Sequence, residues 1–394
     1  MPDPAVPSAV LLGGEAIAVS ACRSLGWAGV RVHALGDARD PVRRSRWCHE
    51  FVAAGSKTGV IERYLDWLER DGPRGGAVIL PCDDYGVEMI ARNRPRLVEW
   101  GYKPVEGDDD VMLAMLDKER TYELARAAGI QTPRTATVRT AGEALSAAGG
   151  FELPLGLKPL QSHIWAEHRS EKLVLARDRD ELREVCVWAF EPGVPMLMTE
   201  VIPGPETEIC TYFTYADSTG EPLFDYTKSK IRQWPKRSGL TCYQVSDRRE
   251  EVIDAGRRLV RAIGLRGVAV PEFKHDARDG RWKLIECNVR FTGSLDLTRH
   301  CGIDMARIAY ESTAGRPVER PDGYRTGVTQ WNPIEDVRAL IDYRRDGELT
   351  VPRWVRSVAR RQHFPMMRAD DPMPTVASLG TKLGRAVRKL ARSR

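Results

Sequence analysis

An apolar run from Ala9 to Leu12 stops at two consecutive glycines, Gly13 and Gly14, and a helical pattern follows with Ile17, Ala18, Ala21 and Leu25 at its apolar positions. A second apolar run at residues 30–34 closes the unit. Strand, glycine turn, helix and strand in that order make a βαβ unit, and such units build parallel sheets covered by helices. The segment AVILPCDDYGVEMIARN continues the alternation, so residues 1–107 are expected to form a doubly wound, Rossmann-like α/β domain. The GxGxxG spacing of a dinucleotide fingerprint is missing at Gly13-Gly14, which sets a dehydrogenase aside.

The rest of the chain has to be a folded protein of two or three domains. It is 394 residues long, 42% hydrophobic and 29% charged. No apolar run reaches the ~18–20 residues of a membrane span. The opening MPDPAVPSAVLLGG lacks the basic region of a secretion signal, so a cytoplasmic protein is expected. Eight cysteines without a CxxC pair point to reduced, mostly buried thiols rather than a zinc ribbon or a disulfide framework. The net charge of +5 is concentrated in the closing LGTKLGRAVRKLARSR, and the near-neutral body gives no reason to expect nucleic acid as a partner. That closing stretch puts Leu379, Leu383, Val387 and Leu390 on one helical face, with Lys382, Arg385, Arg388, Lys389 and Arg392 around it. Such a helix packs on the body or touches an anionic membrane surface; packing is the expectation.

Residues 108–130 read as one helix with an acidic start and Gly129 as its stop, and QTPRTATV as a strand entered through a proline. From about 150 to 310 the pattern turns β-rich, with strands at LGLKP, LVLA, MLMTEVI, EICTYFTYA, VAVPEFKHD and WKLIECNVR. Two helices, DRDELREVCVWAF and REEVIDAGRRLVRAIG, lie among them, which is an α+β arrangement. Beyond 315 only IEDVRALIDYRR reads clearly as a helix.

The chemistry concentrates in GVAVPEFKHDARDGRWKLIECNVRFTGS. Glu272 lies near the end of one strand, Asp279-Gly280 makes a turn, and the next strand carries Glu286, Asn288 and Arg290 at a spacing of two, hence on one face. A hairpin brings Glu272 beside them; three oxygen ligands suit Mg²⁺ and an arginine suits phosphate. The plain alternative is a half-exposed hairpin with charged outer residues. Upstream, LGLKP delivers Lys158 at the end of an apolar strand, where its ammonium can meet a phosphate. In MLMTEVIPGPETEI a strand ends at Glu200-Val201-Ile202, and Glu206 and Glu208 follow a Pro-Gly turn; backbone groups there can pair with an adenine edge and an acid can take ribose hydroxyls. The segment TKSKIRQWPKRSG reads as a basic loop carrying Lys228, Lys230, Arg232, Lys236 and Arg237; Arg232 is favoured for a carboxylate because its fork is planar.

In this order the elements resemble the ATP-grasp superfamily, and within it the carboxylate–amine ligase-like branch, over residues 9–312. The resemblance implies a fold of α/β plus α+β class: a pre-grasp domain at 1–107, a small lobe at 108–199, a second lobe with the metal site at 200–315, and a C-terminal helical extension at 316–394. It implies ATP and Mg²⁺ as cofactors, with Mn²⁺ as a substitute. Lys118 and Lys158 resemble the family's phosphate-contacting residues. Glu200, Val201 and Ile202 resemble the adenine hinge, and Glu206, with Glu208 as the alternate, the ribose acid. Glu272, Glu286 and Asn288 resemble the metal ligands, and Arg290 the residue that meets the transferred phosphate or the substrate carboxylate. Asp83-Asp84 matches a pre-grasp pattern.

The implied activity joins a small-molecule carboxylate, activated as an acylphosphate, to an amine; a homodimer is compatible with it. A phosphoryl transferase, a thiol-acceptor ligase and a non-catalytic nucleotide-binding module remain open. One departure stands out: the loop after Lys158-Pro159, QSHIWAEHRSEK, has none of the glycines that cover phosphates in many members. Ser162, His163 and Trp165 occupy it instead.

Overall fold

A computed structural model describes residues 6–237 and 239–381. The chain divides into two compact units, one made of Met1–Asp109, Arg290–Tyr324 and His363–Arg394, the other of Asp110–Val289 and Arg325–Gln362.

The first unit is built on a parallel sheet. Strands β1 (Ala9–Leu12), β2 (Val32–Gly36), β3 (Cys48–Ala53), β4 (Val78–Pro81) and β5 (Lys103–Pro104) lie in the order β3-β2-β1-β4-β5. Ala9 is flanked by Val32 on one side and Val78 on the other, and β1, β2 and β4 are buried throughout. Helices α1 (Glu15–Trp27), α2 (Val60–Arg70) and α3 (Asp84–Glu99) connect the strands. The Gly13-Gly14 turn has a steric cause. Both residues have positive φ, +66° and +93°, and a Cβ on Gly13 would lie 1.7 Å from an Asp83 carboxylate oxygen. Asp83 cannot retreat, because it caps α3 by accepting the Gly86 N–H at 2.8 Å.

The second unit opens with two helices, α4 (Asp109–Leu116) and α5 (Lys118–Ala127), where the sequence pattern predicts one. Asp117 breaks the run. Its backbone is extended, and its carboxylate accepts the N–H groups of Glu119 and Arg120, so it caps α5 instead of continuing α4.

Next come β6 (Thr135–Val138), α6 (Ala141–Ala147), β7 (Leu155–Pro159), α7 (Ser162–Trp165), β8 (Val174–Ala176), α8 (Arg179–Phe190) and β9 (Met196–Glu200). The four strands form an antiparallel sheet in the order β6-β9-β7-β8. Val138, Leu155, Leu157, Trp165, Leu182 and Met198 make its core.

The larger sheet takes β10 (Ile209–Ala216), β11 (Tyr226–Trp234), β12 (Leu240–Asp247), then, after α9 (Glu250–Ala262), β13 (Gly267–Asp276) and β14 (Arg281–Asn288). Helices α10 (Leu295–Cys301) and α11 (Met305–Ala314) belong to the first unit; β15 (Thr329–Trp331), α12 (Pro333–Arg345) and α13 (Val351–Val358) belong to the second. The sheet is antiparallel in the order β14-β13-β10-β11-β12-β15.

The segment read as a basic loop is therefore a strand, β11, with its partner β12. The chain turns back between Trp234 and its partner Leu240, and the alternation Tyr226, Lys228, Lys230 is the strand signal that the charge masks. All eight cysteines are free, seven of them buried. Among the described residues no helix is long and apolar enough to cross a membrane. The expected basic face beyond Thr381, with Lys382, Leu383, Arg385, Val387, Arg388, Lys389, Leu390 and Arg392, lies outside the described residues.

Candidate functional site

The larger sheet of the second unit has one face covered by helices. Gly256 of α9 packs against the Tyr212 ring of β10, and Asp336 of α12 pairs with Arg232 of β11. The other face is polar, and cross-strand register sets its contents. Glu286 stands opposite Glu272, Glu272 opposite Thr211, Thr211 opposite Lys228, and Lys228 opposite Ser246. Directly paired residues share a face, so these side chains form one row across five strands. Asn288, two residues beyond Glu286, lies on the same face.

A bulge in β14 makes this row. Phe273 pairs with Leu284 and Glu272 with Glu286, so Ile285 is one residue too many on its strand. The extra residue lets Leu284 pack at 0% exposure on the covered face while Glu286, two residues later, is exposed on the polar face. The bulge is anchored from outside the sheet. Tyr122 of α5 donates its hydroxyl to the Ile285 carbonyl at 2.8 Å, and the Leu284 N–H donates to the Gln131 carbonyl at 2.8 Å.

Glu272 is held at both oxygens. Lys230 donates to Oε1 at 2.7 Å and Thr211 Oγ1 to Oε2 at 3.0 Å. Burial pushes this carboxyl up, but Lys230 and Lys228 more than reverse it, and it stays ionised, below the usual carboxylate range. Lys228 is 3% exposed, and burial lowers its ammonium to about 8 despite Glu272. Lys158 of β7 is also lowered to about 8, first by burial and then by Lys118, with Glu286 and Glu272 pulling the other way. These electrostatic neighbours bring Lys118 and Lys158 from the small-sheet side to the carboxylates of the large sheet. Lys118 donates to Ser162 Oγ at 2.8 Å. Trp165 sits in the small-sheet core, so the loop without glycines is pinned by a buried indole.

The donors at Glu272, Glu286 and Asn288 are hard oxygens, and at Glu272 a cation, the Lys230 ammonium, already sits within hydrogen-bond distance. That chemistry fits Mg²⁺ or Mn²⁺.

The strand-to-coil junction after β9 is tied down by charges. Glu200 accepts the Arg134 N–H at 3.0 Å and pairs with Arg278 at 3.2 Å. Lys274 donates to the carbonyls of Ile202 and Gly204, at 2.8 and 3.0 Å, and so shapes the coil at Val201 and Ile202. Glu206 is buried and accepts the Arg237 N–H at 3.1 Å; Glu208 is more exposed and pairs with His275 at 3.4 Å. Lys274, like Thr211, was not singled out by sequence. Each lies in a strand whose residues become distinguishable only once register is known.

Three further residues marked by sequence have carboxylate partners of their own. Arg232 points to the covered face, 4% exposed, with both arms of its fork on Asp336 at 2.6 and 2.8 Å and its plane over Tyr243. It is a buried structural ion pair and is not available to a substrate carboxylate; bulges on both sides of it turn it away from the Lys228–Lys230 face. Arg290 belongs to the first unit, where it pairs with Asp84 of α3. Lys236 pairs with Asp346 and Glu348, and its ammonium lies over Tyr343.

Residues 227–335 match the family described as "ATP-grasp in the biosynthetic pathway with Ter operon". The chain is 24% identical to a D-aspartate ligase of Enterococcus faecium over 261 residues, 64% of this chain and 60% of that one. It is 26% identical over 201 residues to a D-alanine–D-alanine ligase of Pseudomonas entomophila, 49% of this chain and 59% of that one. The match therefore spans somewhat under two thirds of the length of these curated relatives. Among solved structures, an N5-carboxyaminoimidazole ribonucleotide synthetase in complex with ADP superposes with a TM-score of 0.66 at 13% identity, covering 82% of this chain and 81% of that one. That likeness is one of fold.

Proposed function

We propose that the chain is an ATP-grasp enzyme, a reading supported by the family match over residues 227–335 and by the fold likeness, and that it uses ATP to activate a small-molecule carboxylate as an acylphosphate and joins it to an amine. The observation that supports this reading most is the polar sheet face. An ionised Glu272 stands opposite Glu286, and Lys118, Lys158, Lys228 and Lys230 surround the pair.

In this reading Glu272, Glu286 and Asn288 hold Mg²⁺, which when bound offsets phosphate charge. Lys118 and Lys158 take phosphate oxygens from the small-sheet side, and Lys228 and Lys230 from the large sheet. Val201 and Ile202 supply backbone groups for the adenine, and Lys274 holds their coil in place. Glu208, more exposed than Glu206, is the better placed of the two for ribose hydroxyls. The substrate carboxylate attacks the γ-phosphorus and ADP leaves; the amine then attacks the acyl carbon and phosphate leaves. The side chains position and neutralise, so the reaction needs no covalent nucleophile from the protein.

The test is ADP release from MgATP across pools of amino acids and small carboxylates, beside Glu286→Ala. Release that requires both a carboxylate and an amine, and disappears in Glu286→Ala, is expected. ADP release at the same rate in Glu286→Ala would overturn the assignment of the metal face. MgATP binding without turnover on any pool would favour a nucleotide-binding module.

A further inference from the structure

The Lys230–Glu272 pair raises a question of charge. Its side chains are 10% and 14% exposed, the contact is 2.7 Å, and the carboxylate belongs to the set proposed to hold a divalent ion. An ammonium and a divalent cation on the same carboxylate oxygen repel each other strongly in a place with little water. Lys228, Lys158 and Lys118 add further positive charge nearby.

We infer that Lys230 is a resident counter-ion that competes with the divalent cation for Glu272, and that ATP relieves the competition by giving the ammonium phosphate oxygens to move to. Lys230 is thus a positioning residue for an empty site and a phosphate ligand for a filled one. Its stem stays on β11 in both arrangements, and only the ammonium swings from Oε1 to the nucleotide. Thr211 keeps Glu272 oriented through Oε2 while Oε1 changes partner. The consequence is ordered binding: a bare metal ion binds poorly, and metal and ATP bind well together. The inference rests on the proposed metal face.

The two binding steps respond to Lys230 with opposite signs, which a loss of structure cannot imitate. Mn²⁺ binding to the full chain is measured by electron paramagnetic resonance of the free ion, with and without a non-hydrolysable ATP analogue, for wild type, Lys230→Met, Lys230→Arg and Glu286→Gln. Lys230→Met is expected to bind Mn²⁺ alone on the order of tenfold more tightly, and the Mn²⁺–nucleotide complex on the order of tenfold more weakly. Lys230→Arg, which keeps the charge, is expected to bind bare Mn²⁺ as weakly as wild type. Weaker or unchanged binding of bare Mn²⁺ in Lys230→Met would overturn the competition while leaving the metal face standing. Wild type and Glu286→Gln binding the Mn²⁺–nucleotide complex equally well would remove the metal face itself, and the inference with it.

Discussion

At the scale of single residues, the site is defined by cations that burial disfavours. Lys158 and Lys228 are both held at about 8, so near neutral pH they are charged with little margin. In the proposed reaction the charged form is the one that meets phosphate. As pH rises through about 8 the ammoniums lose their protons, and kcat/KM for ATP should fall, while ATP itself gains no further charge because its last phosphate proton leaves at about 6. A pH–rate profile checks this. Lys228→Met should flatten part of the alkaline limb and lower kcat/KM by on the order of a hundredfold; an unchanged profile in both variants, Lys158→Met and Lys228→Met, would refute the assignment. Arg232 carries the opposite lesson. A guanidinium is suited to a carboxylate, but the carboxylate it has is Asp336, 0% exposed, and not a substrate's. Residue type proposed the right chemistry and the wrong partner, because sequence does not say which face of β11 a bulge selects.

At the scale of elements, α5 and β14 act together. Lys118 and Tyr122 are four residues apart on α5 and share a face. Tyr122 fixes that helix to the Ile285 bulge, and the bulge in turn presents Glu286 and Asn288. Tyr122→Phe should cost about 1 kcal/mol of stability in urea unfolding and raise KM for MgATP more than it lowers kcat, since it loosens the alignment of lysine and carboxylates without removing either. A kcat loss with unchanged KM would contradict that division of labour. The hairpin of Glu272 and Glu286 was legible from the Asp279-Gly280 turn and the polar residues at spacing two. The split of residues 108–130 into α4 and α5 was not, although Asp117 is the kind of residue that caps a helix. A cap and a mid-helix aspartate look alike until the backbone turns.

At the scale of the whole chain, the first unit recovers its own distant parts. Asp371, 1% exposed, accepts from Arg23 Nε at 2.9 Å, Ser45 Oγ at 2.7 Å and the Arg46 N–H at 2.9 Å. Arg23, equally buried, also donates to the carbonyls of Pro365 and Asp371. Asp371→Ala would leave a buried guanidinium without its carboxylate, at a cost of about 3–5 kcal/mol. Hydrogen exchange should show it as lost protection in α1, with α9 of the second unit unaffected. Equal loss in both helices would mean that Asp371 stabilises more than the unit it lies in.

The sequence by itself determined the parallel α/β start of the chain, many of the later strands and helices, and the hairpin that sets Glu272 opposite Glu286. These follow from periodicity, glycine turns and residue chemistry, which are local properties. The tertiary structure alone decided which of five clustered basic residues face Glu272, which arm holds each carboxylate oxygen, and where residues beyond 315 go. Those depend on register, on one extra residue at Ile285 and on contacts between segments more than a hundred residues apart, and a local pattern carries no information about any of the three.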